Sequence, residues 1–533
     1  MFLKNKLLNE KSIIVFIFIF SLAINQVFGN RGVYPIDSFG FFDPGYRVLN
    51  GEFPFKDYWV VSGATIDYFQ ALLFWIFGTN WQSYVLQASI LNAFFSIFTF
   101  IFFRELKLNL KSNFFYTICL SILAYPSSGT PFVDHHATYF SLIAVFFLIL
   151  AIKRNDSIYW FFVPILLGMA FFSKQVPTAY LAISIFFIII FNFFFNSKNK
   201  NIKIILILLS STFIFLTFVL LIFTLTETSL LSFFEQYFYY PLNIGEGRFG
   251  TYKIDLKNSV YSFKFLHLVF LPFFIINLHK IMTEEGYFKN INFKIFIIFS
   301  LSFISLVLHQ VFTKNQVFIF FLIPLFAAFS HIEIDKILKE SVFKKTLIYT
   351  MLALCFFSTA KYHKRFNLDR KFHEMANINF KNSSPAKQLD NRFLGLKWIT
   401  PIGVEKEKVL QEIKSIKNIK NFLKNDKREK MLVTQYAFFS ILLDENLNAP
   451  SRWYPTDGTG FPSKGSKYYD NYVNFLIDLI KGKKIKVIYI TGDVSTEAIF
   501  NYINPNCFEK EIIFPNLTSY LLKKDCENFN RKF

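Results

Sequence analysis

The sequence predicts an all-α membrane protein that crosses the bilayer many times and ends in a small α/β domain. Of its 533 residues, 53% are apolar and only 18% are charged, whereas soluble domains are about a quarter charged. The apolar residues form long runs, such as 13–24, 140–152 and 204–224. The net charge of +20 therefore indicates lysine-rich loops at a membrane rather than a nucleic-acid partner.

A helix needs about 20 mostly apolar residues to cross the hydrocarbon layer. We predict eleven spans, of which the third and fifth are the shortest. They lie near 12–28, 83–103, 113–126, 137–152, 158–172, 177–196, 203–225, 260–278, 294–309, 316–331 and 345–360. Basic residues concentrate at the N-terminus and in every second connection, which predicts that these parts are cytoplasmic. An odd number of spans then leaves residues 361–533 outside.

The first outer loop, 29–82, is unusually long, and long loops in compact proteins are usually functional. Within it, 64–78 is apolar but too short to cross, and nearby tryptophans predict an interfacial helix that ends at Gly78. The first span could instead be a signal peptide, because Val27 and Gly29 form a small-residue cleavage pattern. We favour an uncleaved helix, since many spans follow it.

The C-terminal part has the pattern of a separate domain. A helix is predicted over 409–423, and short β-like runs then alternate with helical patterns, as is typical of a small α/β domain. The β-like runs lie at 431–435, 486–491 and 511–515. We therefore divide the chain into a membrane domain, 1–360, and an outer domain, 361–533.

Two cysteines of the outer domain are candidates for a disulfide. Cys507 and Cys526 flank the runs 511–515 and 519–524, which could pair as a hairpin about a turn near Asn516. The two thiols would then face each other at the open end of the hairpin, and a disulfide there fits an oxidising compartment. Two free thiols are the alternative, because sequence alone does not prove pairing.

The first outer loop carries two acidic candidates for catalysis. Asp37 lies a few residues beyond the first span, and Asp57 ends the stretch GEFPFKD. A carboxylate held at the membrane surface beside aromatic residues can act as a general base toward a hydroxyl. A solvated loop acid, or an N-cap for a helix over 41–49, is the alternative for Asp37.

A second candidate site is the run Asp134-His135-His136 in the outer turn between the third and fourth spans. An acid and two imidazoles at a membrane edge can bind a divalent metal, such as Mg²⁺ or Mn²⁺, or an anionic head group. Three consecutive ligands cannot close a metal site, so further oxygen ligands would be needed. Alternatively, Asp134 caps the fourth span and the histidines lie at the interface.

Basic residues are few on the predicted outer face. Lys174, Arg248 and Lys314 are each placed against the positive-inside trend, so each is a candidate for neutralising a lipid phosphate. Each could equally extend to the lipid head groups.

The stretch 452–458 could contact a substrate, although a surface turn is the simpler interpretation. The chain has no P-loop, GxGxxG, HExxH, CxxC or GxSxG motif. Nucleotide hydrolysis and zinc-protease or serine-hydrolase chemistry therefore have no motif support.

The order of these parts resembles the GT-C membrane glycosyltransferases, the group of protein mannosyltransferases and aminoarabinose transferases. Those enzymes place an aspartate early in a long first outer loop, often before a G-x-x-P-Y-x-D stretch. The corresponding residues here are Asp37 and Gly51–Asp57, followed by an apolar helix that ends at Gly78. The run FSKQ around Lys174 and the segment 314–324 resemble two further patterns of the family.

The resemblance covers roughly 1–330 and is strongest over 34–80. It implies a GT-C fold in a bacterial inner membrane and the inverting transfer of a sugar from polyprenyl phosphate to a glycan, lipid or protein. Asp37 would be the general base, and Asp57 would help to shape the site. Asp134 would correspond to the second acidic motif of the family, which lies in the outer loop between the third and fourth spans. The residues implied to stabilise the phosphate leaving group are Lys174, Arg248 and Lys314.

Two other functions are compatible with a chain of this kind. A polysaccharide polymerase or ligase also acts on lipid-linked glycans, but typically relies on arginine-rich outer loops and a large middle loop. A flippase or other transporter would have paired ionisable residues at mid-span and internal repeat symmetry. The acids here lie in the outer loops and the sequence shows no repeat, so we favour the glycosyltransferase.

Overall fold

The computed structural model describes residues 10–124, 128–244, 254–313, 319–371, 375, 378–455, 458–524 and 526. The part before residue 363 is mostly helical. Its helices are α1 (Glu10–Gly29), α2 (Pro35–Ser38), α3 (Phe42–Leu49), α4 (Ala64–Phe77), α5 (Trp81–Glu105), α6 (Leu110–Leu123), α7 (Val133–Arg154), α8 (Ser157–Ser173), α9 (Gln175–Phe193), α10 (Lys198–Leu225), α11 (Leu230–Phe234), α12 (Leu256–Ser259), α13 (Lys264–Thr283), α14 (Ile291–Thr313), α15 (Leu322–Ile337) and α16 (Val342–Tyr362).

Within the described ranges, eight helical segments are long and apolar enough to cross a membrane, so the chain is a multi-pass helical membrane protein. They are Glu10–Gly29, Trp81–Glu105, Val133–Arg154, Gln175–Phe193, Lys198–Leu225, Leu256–Thr283, Ile291–Thr313 and Val342–Leu368. The other three predicted spans coincide with α6, α8 and α15, which have 14, 17 and 16 residues. These helices are shorter than the about 20 residues that a crossing normally needs, so the total of eleven stays a prediction.

Helix α7 lies at the centre of the bundle. Its apolar window is 83% buried, compared with 11% for α10. It packs against α5, α8, α9 and α14, and the ring of Phe146 stacks on that of Phe102 with centroids 4.5 Å apart. Lipid tails are as apolar as these side chains, so close packing rather than exclusion of water holds the helices together. The N-terminal end of α7, which carries Asp134, is thereby fixed inside the protein.

The predicted interfacial helix is α4. It begins after Gly63 and ends before Gly78, whose φ angles of +86° and +80° favour glycine. A Cβ atom on Gly63 would lie only 2.5 Å from the ring of Phe41, so no other residue fits there. The last turn of α4 exposes 74% of Trp75 and 55% of Phe77, as expected for a helix end at a membrane–water boundary.

The C-terminal part contains a small sheet together with several helices. Its elements are β1 (Ser384–Pro385), β2 (Lys397–Trp398), α17 (Lys406–Asn425), β3 (Lys430–Val433), α18 (Phe439–Leu443), α19 (Tyr469–Gly482), β4 (Val487–Thr491), α20 (Glu497–Phe500), β5 (Phe508–Phe514) and β6 (Leu517–Leu522). The strand order in the sheet is β3-β4-β6-β5. Strands β3 and β4 are parallel, and β6 pairs antiparallel with both β4 and β5. The predicted β-like runs and the predicted helix over 409–423 all occur, shifted by a few residues.

Local sequence patterns explain these elements. In α17, the buried residues Val409, Ile413 and Ile416 recur at helical spacing, so one face packs inward while lysines cover the other. Strands β5 and β6 form the predicted hairpin, and Cys507 and Cys526 are joined by a disulfide across its open end, with Cα atoms 5.3 Å apart.

The C-terminal part and the first outer loop share one hydrophobic core. Phe39 of the loop packs between Trp398 and Phe438. The centroid of its ring lies 6.0 Å from that of Trp398 and 4.8 Å from that of Phe438. Backbone hydrogen bonds join the same parts, since the amide of Trp59 donates to the carbonyl of Pro450 at 2.9 Å. The loop therefore takes its shape from the C-terminal part.

A buried ion pair ties the same two parts together. The guanidinium of Arg452 donates to the carboxylate of Asp67 on α4 and to the carbonyl of Ser62. The side chains of Arg452 and Asp67 are only 2% and 0% exposed. Tyr58 also donates its hydroxyl to Asp67, at 2.8 Å, so the buried charges have several partners.

We predict that Arg452→Ala destabilises the protein by about 3–5 kcal/mol, because it leaves the Asp67 carboxylate buried without its cation. Thermal unfolding in detergent measures the effect. The matched control is Arg428→Ala, because the Arg428 side chain is 43% exposed in its pair with Asp426, and such pairs contribute about 0–1 kcal/mol. Equal losses in the two variants would contradict a special role for the buried pair.

Candidate active site

A cavity of about 530 Å³ lies where the ends of α7, α8 and α14 meet the first outer loop. Its wall is mainly aromatic and aliphatic, and includes Phe41, Phe132, Phe171, Tyr237 and Trp453. The polar residues on the wall include Asp37, Ser62, Asp134, Lys174, Gln175 and His309. An apolar pocket with a few convergent polar groups is typical of a ligand site. Three of the predicted site residues, Asp37, Asp134 and Lys174, thus line one cavity.

Asp37 reaches the cavity from the short helix α2. Proline at its first position, Pro35, presets the helical φ angle. The hydroxyl of Ser38 accepts a hydrogen bond from the amide of Tyr34 at 2.9 Å, which closes the turn. Asp37 is half-buried and lines the cavity, so it belongs to a folded turn in the cavity wall. Such placement suits a general base.

Asp134 is held at the start of α7 by two partners. The ammonium of Lys174 lies 2.9 Å from each carboxylate oxygen, and Nε2 of His309 lies 2.6 Å from Oδ1. An ionised carboxylate accepts only, so His309 donates through Nε2. The side chains of Asp134 and His309 are 2% and 1% exposed. The cluster is therefore a desolvated group of charges at the end of the membrane helices.

His309 was not among the site residues predicted from the sequence. Its partner Asp134 lies 175 positions earlier in the sequence. His309 itself is inside an apolar span, where a histidine is normally interpreted as a core residue. A polar side chain in the last turns of a span predicted to end at the outer face was the one signal that could have indicated it.

Lys174 lies at the break between α8 and α9, where its backbone is extended. The neighbouring Gln175 fixes this break, because its side-chain amide donates to the carbonyls of Val61 and Tyr237 at 2.9 and 2.7 Å. The side chain of Lys174 is 21% exposed. An ammonium has three N–H donors, so a donor beyond the two contacts with Asp134 is available for an anion.

The two histidines after Asp134 are buried but do not line the cavity. Nδ1 of His136 lies 3.0 Å from the carbonyl of Phe132, and His135 packs edge-on against Tyr139. Within the ranges that the structure describes, no three His, Cys, Asp or Glu side chains come together as a metal centre would require. The ammonium of Lys174 also occupies both oxygens of Asp134. The side chains present therefore do not fit a protein-bound metal, and we derive no step through one.

Asp57 lies away from the cavity, on the polar side of the loop. Its carboxylate accepts from the amide of Phe53 at 2.9 Å and pairs with Lys483 of the C-terminal part at 3.2 Å. Lys483 also pairs with Glu52 at 2.8 Å, and Glu52 pairs with Arg47. The structure does not bring Asp57 together with Asp37 on one wall; Asp57 holds the loop against the C-terminal part.

Two predicted phosphate ligands, Arg248 and Lys314, lie outside the described residues. In the described part of the predicted stretch 452–458, residues 452–455 are not a surface turn, because Arg452 is buried and Trp453 and Pro455 line the cavity. The C-terminal part therefore supplies one wall of the candidate site.

No protein-family model matches the chain, and no curated protein sequence matches it. The assignment to the GT-C group therefore stays a prediction from the residues.

The ion pairs around Asp57 predict a pH dependence of stability. Burial raises the pKa of Glu52, but the charges of Arg47 and Lys483 and their hydrogen bonds outweigh it, so the pKa is lowered overall. A lowered pKa means that Glu52 stabilises the fold above its unfolded pKa of about 4.3 and loses this contribution as pH falls below it. We expect thermal stability in detergent to fall less steeply between pH 5 and 3 in Glu52→Gln than in wild type. Parallel curves would refute the assignment.

Proposed function

We propose that this chain is an integral-membrane glycosyltransferase that moves a sugar from polyprenyl phosphate to an acceptor hydroxyl, with inversion, at the outer face of the membrane. The observation that carries the proposal is the meeting of Asp37, Asp134 and Lys174 on one apolar cavity. These residues come from three separate connections of the chain, and all three were candidates from sequence. A base, a cation and an apolar surface are the groups that such a reaction needs.

The cavity wall suits a donor with an apolar tail and an anionic head. Phe171, Tyr180 and Phe238 offer aromatic surface to an isoprenoid chain, and Lys174 offers a cation to the phosphate. Asp134, which is itself bonded by His309, holds the ammonium of Lys174 in place, so the ammonium needs little reorganisation when charge develops.

The proposed reaction is a single displacement. Asp37 takes the proton of the acceptor hydroxyl while the hydroxyl oxygen forms a bond to the anomeric carbon of the sugar. The bond from that carbon to the phosphate oxygen breaks, and its electron pair stays on the phosphate, where Lys174 stabilises the added charge. Attack from the face opposite the leaving group inverts the configuration. Asp134 and His309 position Lys174 without taking part in bond making.

The distribution of basic residues supports an outer location for the cavity. At the opposite end of the bundle Arg104 pairs with Glu10 at 2.6 Å, and Lys153 pairs with Glu105 at 3.8 Å. This end carries the lysine-rich connections, which the positive-inside rule assigns to the cytoplasm. The C-terminal part packs on the first loop, so it shares the side of the cavity.

We predict that Asp37→Asn lowers kcat by at least about 100-fold, since general-base catalysis contributes about 10²–10⁴. Purified protein in detergent is offered a panel of polyprenyl-phosphate sugars with candidate acceptors, and release of polyprenyl phosphate is measured. The control is Asp470→Asn, which changes an exposed aspartate on α19 and should leave release unchanged. Wild-type rates in Asp37→Asn would remove the general-base role, and no release by folded wild type would reject the reaction class.

We also predict that Lys174→Met lowers kcat by about 10²–10³, the typical effect of losing one group that stabilises a developing charge. A merely structural lysine would lower the amount of folded protein without changing kcat per folded molecule. Lys174→Arg, which keeps the charge, should recover part of the rate. A Lys174→Met enzyme with unchanged kcat would exclude the phosphate role.

A further inference from the structure

A second concavity, which we call the polar groove, lies on the opposite side of the loop from the cavity. It has a volume of about 820 Å³, within the about 300–1,000 Å³ of ligand sites. One wall is α19 of the C-terminal part; the other comes from loop residues 51–59 and from the segment 227–236. Asp57 and Lys483 lie at one end of it.

Helix α19 lines the polar groove with one continuous face. Asn471, Asn474, Phe475 and Asp478 recur at spacings of three and four residues, so they share that face. The other face of α19 is buried through Leu476 and neighbouring apolar residues. The sequence thus keeps amide and carboxylate groups, with one aromatic ring among them, on a face that is exposed at Asn474 and Asp478.

Aromatic rings form the floor of the polar groove. Trp59 and Phe475 both line it, and their ring centroids lie 5.7 Å apart. Trp59 is only 2% exposed, yet its indole N–H has no hydrogen-bond partner among the described residues. Buried donors are normally satisfied, so this N–H is an unsatisfied donor in the wall of the polar groove.

The charges of the polar groove disfavour an anionic ligand. Both lysines that line it are already paired, Lys56 with Glu227 at 2.9 Å and Lys483 with Asp57 and Glu52. Two further acids on its wall, Glu235 and Asp478, form no ion pair within the described ranges. A phosphate or uronate would meet uncompensated negative charge, whereas neutral hydroxyl groups would find acceptors and amide donors.

We propose that the polar groove binds a neutral, polyhydroxylated chain, namely the glycan of the acceptor, through sugar units away from the reacting hydroxyl. Asparagine and aspartate side chains bond its hydroxyl groups, and the face of a pyranose ring stacks on the half-buried Phe475, which Trp59 supports from beneath. The polar groove and the cavity share a wall: Gln236 faces one and Tyr237 the other. That the glycan is the acceptor's rests on the proposed function; that the polar groove binds a glycan does not.

The test is direct binding to the full-length protein in an amine-oxide detergent, because maltoside detergents would themselves present sugar. Isothermal titration uses maltohexaose, cellohexaose and chitohexaose as neutral probes and hexagalacturonic acid as an anionic one. The test variant is Asn474→Ala with Asp478→Ala, since both side chains are exposed and the change spares the core. Asp470→Ala, on α19 but outside the lining, is the matched control.

We expect at least one neutral hexasaccharide to bind wild type and Asp470→Ala within twofold of each other, and at least tenfold more weakly to the double variant. Hexagalacturonic acid should bind at least tenfold more weakly than that hexasaccharide. No binding of any neutral probe, undiminished affinity in the double variant, or tighter binding of the uronate would each overturn the proposal. Because binding needs no base, Asp37→Asn should keep it. A failed transfer assay with intact binding would thus reject the proposed function alone.

Discussion

The buried contact between Arg452 and Asp67 is the constraint on which the junction of the first outer loop and the C-terminal part depends. The first outer loop has little regular structure between α3 and α4, so its own backbone cannot define its path. Arg452 reaches it from the C-terminal part and bonds both α4 and the carbonyl of Ser62. Its guanidinium also lies 4.9 Å from the ring of Phe41, a favourable cation–π distance. Arg452 therefore fixes the loop at Ser62, which lines the cavity.

A second group of buried charges gives the cavity its chemistry. Desolvated charges are costly unless they are paired, and Asp134, Lys174 and His309 satisfy one another at the ends of three different membrane helices. Their separation in sequence means that the cluster forms only when α7, α8 and α14 are packed together. A change in that packing would move the ammonium of Lys174 relative to Asp37. The phenylalanine-rich bundle is thus part of the site through the helix ends it fixes.

The features predicted from sequence are those that a local pattern encodes. Short β-like runs that alternate with helical patterns predicted the sheet, a helix was predicted over 409–423, where α17 lies, and two flanking runs predicted the pairing of Cys507 with Cys526. Asp37 and Lys174 could be placed near each other because sidedness puts their connections at the same end of the bundle. Sidedness predicts that both residues lie at the same end of the bundle, but it does not predict that they line the same cavity.

What sequence could not predict depends on contacts between distant residues. Arg452 has the local pattern of a surface turn, and only its partner Asp67 explains its burial. Asp57 belongs to a stretch that resembles a catalytic motif, yet Lys483 draws it to the other side of the loop. His309 is visible as a functional residue only beside Asp134. In each case the deciding partner lies more than 170 positions away.

The wall between the cavity and the polar groove is a rigid partition, because two glutamine side chains bond it from either side. The amide of Gln236 accepts from the backbone of Val60 and donates to that of Phe55, at 2.9 and 3.0 Å. Gln175 donates to Val61 and Tyr237 in the same way. These bonds satisfy loop backbone that has no strand partner, and opening the wall would leave that backbone unpaired. If the proposed function holds, an acceptor bound in the polar groove would reach Asp37 around the edge of the wall, which would favour an extended chain over a single sugar.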